Sequence, residues 1–211
     1  MSAGAVERIA AAAAELVVDE GMEYGAAKRK AAQALGKRGG RSSELPNNEL
    51  LEAAVREHIA VFHADTQPGE LLALRQLALS WMRRLSAFRP HLSGAAWRGT
   101  ATRRSALHID LYCDDPKTAE IALLDLGVSF DVRTLERPGE PPLDVLSVAT
   151  PVAALGEAVT VHLLIRDLDE LRGALKPDAR GHSWRGDMLA LQRLLAEADG
   201  MPGDAKDEEA R

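Results

Sequence analysis

His108 and Asp110, two apart in the run Leu107-His108-Ile109-Asp110-Leu111, are the residues of this 211-residue chain whose type and spacing carry the clearest chemistry. Residues i and i+2 of a strand point to the same face. The imidazole and the carboxylate therefore share one surface, and Leu107, Ile109, Leu111 and Cys113 share the other. A few residues earlier, Gly99-Thr100-Ala101 follows a segment that reads as a strand and precedes a short helix. Glycine lets backbone approach a phosphate closely, and the free N–H groups at a helix start bind anions without a cationic side chain. Arg98, Arg103 and Arg104 stand beside that turn, where guanidinium groups could clamp phosphate oxygens in pairs. Two further carboxylates follow on later strands, Asp131 in Phe130-Asp131-Val132 and Asp144 in Leu143-Asp144-Val145.

The elements that must position these groups change in kind near Leu92. Before it, Ile9, Ala12, Ala13, Leu16 and Val17 recur at spacings of three and four and predict a first helix ending near Gly21. A second is expected over Tyr24 to Leu35, stopped by Gly36, and a third from an Asn47 or Asn48 cap to about His63. A fourth runs from Pro68 to about Phe88, with Pro90 beyond it. After Leu92, strands are expected over Gly94 to Arg98, Leu107 to Cys113, Ser129 to Glu136, Leu143 to Val148 and Glu157 to Arg166. A helix starting at Pro116 and stopping at Gly127 separates the second strand from the third. The third and fourth strands flank Pro138, Gly139, Pro141 and Pro142 as a hairpin or neighbouring pair. Short helices over Asp167 to Leu175 and Trp184 to Ala198 complete the domain. The expected class is α+β or α/β: a helical region over 1–91, a small mixed sheet flanked by helices over 92–198, and a polar, disordered tail over 199–211.

Glycine turn, helix and polar-faced strand, in that order, resemble the nucleotidyltransferase superfamily of polymerase-beta-like proteins over roughly Leu92 to Val132, as a divergent bacterial member. The resemblance implies that Gly99 and Thr100 receive nucleotide phosphate, and that Arg103 or Arg104 stabilises developing charge. It implies that Asp110, with Asp131 or Asp144, holds Mg²⁺ or Mn²⁺ between a nucleoside triphosphate and the attacking oxygen of an unknown acceptor, be it a small molecule, a protein or RNA. His108 stands where the family places its first aspartate, and magnesium prefers hard oxygen ligands. Two outcomes follow: an active transferase of nucleoside monophosphates, with His108, Asp110 and Asp131 as its catalytic set, or a degenerate relative that still binds nucleotide.

Composition narrows the classes around this. Charged residues make up 27% and hydrophobic ones 46%, an ordinary globular balance, and the aromatic share of 4% suits packed helices with a small sheet. No run approaches the roughly 18–20 apolar residues of a membrane helix, and no leader-type segment is evident, so no membrane is expected. One cysteine, Cys113, permits neither an internal disulfide nor a cysteine-rich zinc cage, which fits a cytoplasmic protein. Cys113 itself reads as a core thiol. The net charge of −6 divides into +3 over residues 1–111 (15 basic, 12 acidic) and −9 over 112–211 (11 basic, 20 acidic). His58 and His63, five apart on one helix, are expected to diverge and to bind no common metal. His162, among Val161, Leu163 and Leu164, reads as a structural strand residue, and Trp97 sits where it could stack on a base.

The chain's start also resembles the DNA-binding end of tetracycline-repressor-type regulators, in the order Ile9 to Glu20, Gly21-Met22, Ala26 to Gly36 and Leu45-Pro46 to Val55. That resemblance implies a helix-turn-helix; separately, Lys28, Arg29, Lys30, Lys37, Arg38 and Arg41 form a basic cluster that reads as a solvated helix face or as a phosphate-meeting surface. Where those proteins carry a recognition helix, this chain has Lys37-Arg38-Gly39-Gly40-Arg41-Ser42-Ser43, whose paired glycines oppose a helix by about 1 kcal/mol each.

Overall fold

Two hydrophobic cores organise the chain, and the helices divide between them. The computed structural model describes residues 3–36, 45–136, 139, 141–178 and 181–199. Helices α1 (Ala3–Glu20), α2 (Tyr24–Ala34) and α3 (Asn48–Phe62) bury one another through Ile9, Ala13, Val17, Ala27, Ala31, Leu51, Val55 and Ile59. The Asn47 side chain caps α3 by accepting the Leu50 N–H at 2.8 Å. Helix α4 (Gln67–Arg84) turns its Leu74, Ala78 and Met82 stripe away from that group and into the sheet core. The helical region expected over 1–91 is thus shared between two cores.

The sheet has six strands in the order β3-β4-β5-β2-β1-β6: β1 (His91–Ser93), β2 (Leu107–Tyr112), β3 (Asp131–Leu135), β4 (Leu143–Val152), β5 (Glu157–Arg166) and β6 (Arg185–Gly186). Only β2 and β5 pair in parallel; the other four pairings are antiparallel, so the protein is α+β with a mixed sheet. Leu107, Ile109 and Leu111 of β2, with Val161 and Leu163 of β5, are fully buried on one face beneath α4, α6 (Pro116–Asp125) and α7 (Met188–Asp199). Asp115 caps α6 by accepting the Lys117 N–H at 2.9 Å, and Pro116 occupies the helix start, where its missing N–H costs nothing.

Three expected elements differ. Gly94–Arg98 is a helix, α5, and the strand before it is only the three residues of β1. Within Trp184 to Ala198 the first residues pair as β6 against β1, and the helix begins at Met188. Within Asp167 to Leu175 only Leu168–Leu171 is helical, as one 3₁₀ turn. The 199–211 tail lies outside the described residues beyond Asp199.

The two cores meet through polar contacts at the loop between α5 and β2. Thr102 Oγ1 donates to the Val18 carbonyl at 3.2 Å, and Arg98 pairs with Glu52 of α3 at 3.0 Å. Gly21, at a φ of 69°, lies so close to this loop that a Cβ there would stand 2.4 Å from the Arg104 carbonyl oxygen.

Candidate functional site

The glycine turn expected to cradle phosphate is closed. Gly99, at a φ of 80°, ends α5 rather than starting a helix. A helix end presents carbonyls and the negative pole of its dipole, the wrong polarity for an anion. Those carbonyls are taken: Gln67 Nε2 donates to Gly99 O at 3.1 Å and to Ala101 O at 2.9 Å. Thr100 is buried, and its N–H donates to the Ala95 carbonyl at 2.9 Å. Arg103 donates to Glu157 at 2.8 Å and to the Leu155 carbonyl at 3.0 Å, and Arg104 lies 3.4 Å from the same Glu157. These four residues stitch α4, α5 and the start of β5 together. The glycine that does end a strand beside the polar face is Gly94, whose missing Cβ would stand 3.2 Å from His108 Nδ1.

The three carboxylates do not converge. Asp110 is fully buried between two guanidinium groups: Arg166 Nε donates to its Oδ1, and Arg185 Nη1 lies 3.4 Å from its Oδ2. Arg185 also donates to the Tyr112 hydroxyl at 2.9 Å, and Glu170 accepts from Arg166 at 3.1 Å. Asp131 does share the face of His108, but the register Asp131–Ser147–His162–His108 puts three strand spacings, about 14 Å, between them. Asp144 lies one residue out of that parity, on the opposite face, where it accepts from Thr134 Oγ1 at 2.6 Å. Among the described residues none of the three carboxylates belongs to a cluster of three metal-ligating groups. The expected magnesium or manganese set of Asp110 with Asp131 or Asp144 therefore does not fit an ion, and no step is derived through one.

What the polar face of the sheet does assemble is a hollow of about 740 Å³ over β2, β5, β4 and β3. Its polar lining is His108, His162, Ser147, Asp131, Arg133 and Glu23, and Val145 and Leu164 form an apolar floor. The His108 and His162 rings lie 5.2 Å apart, Ser147 Oγ is hydrogen bonded to His162 Nδ1 at 2.9 Å, and His108 Nε2 lies 3.6 Å from Glu23. Of the expected site residues this hollow contains His108 and Asp131; it excludes Gly99, Thr100, Arg103, Arg104, Asp110 and Asp144. The sequence reading missed His162, Ser147, Arg133 and Glu23. The available signal was parity: Ser147 and His162 interrupt apolar strands with polar groups on alternate positions. Only the in-register pairing of β2 with β5 brings His108 beside His162.

Burial, followed by the neighbouring His108, holds the His162 imidazole below its ordinary pKa of 6.5. Burial does the same to His91, packed edge-on against Tyr112. Both rings thus bind protons more weakly in the folded chain than in the unfolded one. Their contribution to stability is complete above about pH 6.5 and is lost as the pH falls through that value towards the folded pKa values. Thermal unfolding followed across that window should show a falling midpoint, with a shallower fall in His162→Gln; parallel profiles for the two proteins would contradict the assignment.

Of the basic cluster, Lys28 bonds Asn48 at 2.8 Å and Lys30 pairs with Glu20 at 2.6 Å, while Lys37, Arg38 and Arg41 lie outside the described residues. The segment 37–44, where a recognition helix would fall, lies there too. Cys113 packs against the sheet core as expected, with burial pushing its thiol pKa up. Among the described residues, no helix is long and apolar enough to cross a membrane.

No family model matches this chain, and no curated protein matches it. Among solved structures it is similar to the Cid1 poly(U) polymerase with MgGTP bound and to a mutant of the same enzyme bound to MgATP. Each match has 13% identity and a TM-score of 0.33 and covers 46% of this chain. The match takes in 32% of the polymerase chain. At that level the likeness assigns no activity.

Proposed function

We propose that this protein is a nucleotidyltransferase-like binder of nucleotides or similar phosphate-bearing ligands, which it takes in the hollow on the polar face of its sheet without metal-dependent transfer. The observation that carries the proposal is the imidazole pair that lines the hollow where the resemblance implies a metal-binding carboxylate pair at 108 and 110. His108 and His162 line the hollow side by side, while Asp110, the carboxylate of the expected metal set nearest to them, is neutralised by Arg166 and Arg185. The volume lies within the range of small-molecule sites. Val145 and Leu164 offer apolar surface to a base or sugar, and Arg133 with the two imidazoles offers donors to phosphate oxygens. Transfer of a nucleoside monophosphate is disfavoured because three carboxylates around an ion are missing, not because any ion is.

Calorimetric titration of ATP, GTP, CTP and UTP with and without Mg²⁺ or Mn²⁺ tests this. The expected result is binding that metal does not strengthen and that weakens about tenfold in Arg133→Ala. His108→Asp should weaken binding further and create no metal dependence, since Asp110 stays paired. Metal-dependent affinity in His108→Asp, or release of pyrophosphate by the unmutated chain, would instead establish the transferase.

A further inference from the structure

His63 is the last hydrogen-bonded residue of α3 but not a helical one: its φ and ψ are −130° and 16°. On a continuous helix, residues five apart diverge by roughly 140° around the axis. Because His63 has left the helix, its ring swings back towards His58, and the two centroids lie 5.8 Å apart. Both Nε2 atoms then meet one carboxylate on another helix, that of Asp19 in the last turn of α1: His58 Nε2 is 3.2 Å from Oδ2 and His63 Nε2 is 2.8 Å from Oδ1. The expectation that these two histidines diverge is corrected by this geometry.

We infer that Asp19, His58 and His63 form a binding site for a borderline divalent cation of the zinc class, which clips the end of α1 to the end of α3. One donor atom from each residue lies within 4.8 Å of the others. Bonds of about 2.0–2.2 Å in a tetrahedron place ligand atoms roughly 3.3–3.5 Å apart. The two histidine–carboxylate separations, 3.2 and 2.8 Å, fall a few tenths of an ångström short of that figure, so small rotations that open the three side chains would admit an ion. Two imidazoles with one carboxylate suit zinc and disfavour magnesium and calcium, which take oxygen ligands. With side-chain exposures of 17%, 29% and 41% for His58, His63 and Asp19, water can reach a fourth position. Asp19 sits in the last turn of one helix and His63 at the cap of another, and both helix ends present the negative pole that favours a cation. In the complex each Nε2 is the ligand atom and carries no proton.

The site lies at the surface where the ends of α1 and α3 meet, apart from the sheet-face hollow, so it stands or falls independently of the ligand proposed there. The test is titration of the chelator-treated full chain with zinc chloride, by calorimetry and by thermal unfolding, with magnesium chloride as control. One tight equivalent is expected, with a midpoint that rises with free zinc as mass action requires and no response to magnesium. Because losing even an outer-sphere partner of a metal site weakens affinity about 10–100-fold, His58→Gln and His63→Gln should each cost at least that. His162→Gln should leave the tight equivalent in place. Zinc uptake that survives the double variant His58→Gln/His63→Gln, or is lost in His162→Gln, would overturn the assignment. Cobalt(II) loaded into the unmutated chain gives a readout that needs no variant to fold. Intense visible bands of a four- or five-coordinate ion are expected; the weak spectrum of a hexa-aqua ion would overturn the site.

Discussion

Asp110→Asn should lower the folding stability of this chain by about 3–5 kcal/mol, the typical cost of removing one partner from a buried ion pair. Asparagine keeps the volume of aspartate, so the loss is electrostatic and not a cavity effect. It leaves Arg166 and Arg185 partly buried beside a neutral amide, and the second of these also holds the Tyr112 hydroxyl. Replacing Arg166 by Met in the Asp110→Asn background should recover part of the loss, because an uncompensated guanidinium is then removed. Urea unfolding of the two variants and the unmutated chain measures both effects. A midpoint unchanged by Asp110→Asn would mean that this carboxylate is not the centre of a buried network, and would return it to the list of candidate ligand-binding groups.

Gly21→Ala should be nearly as damaging, by a different route. A left-handed φ costs a non-glycine residue about 1–2 kcal/mol, and overpacking adds about 1–3 kcal/mol. Here the overpacked neighbour is the Arg104 carbonyl, 2.4 Å from the new Cβ, and backbone cannot rotate aside as a side chain can. The loop must therefore retreat from α1, breaking the Thr102–Val18 hydrogen bond that lies alongside. Since the α1–α3 group has its own core, the expected signature is faster amide exchange across those helices at denaturant concentrations where the sheet is still protected. Uniform exchange with an unchanged midpoint would show that the two cores do not lean on each other at Gly21.

The elements most visible in the sequence were those with a long period or an explicit cap. The spacing of Ile9, Ala13 and Val17, the Asn47 cap and the Pro116 start all do locally what they do in the folded chain. Gly94–Arg98 failed because five residues are too few to show a period. Its Ala-Ala-Trp-Arg composition suits a helix, and the strand it displaced is three residues long. The site was far less legible. Alternation along β2 correctly put His108 and Asp110 on one face, but whether a carboxylate on that face meets solvent or a cation depends on residues far along the chain. The two arginines that bury Asp110 come 56 and 75 positions later, and nothing local announces either. Gly99 shows the same limit: a glycine beside a short helix reads alike at either end, yet the two ends carry opposite charge. The pairing of His58 with His63 is hidden for the opposite reason, since helical spacing stops describing the chain at His63, one residue beyond the helix.

The most direct test of the ligand site is to follow the imidazole resonances of His108 and His162 by NMR while a nucleoside triphosphate is added, first without metal and then with Mg²⁺. Both rings should shift together, and magnesium should leave that effect unchanged. Perturbations confined to the Gly99–Arg104 loop, or shifts of the two rings that appear only once magnesium is present, would contradict the account.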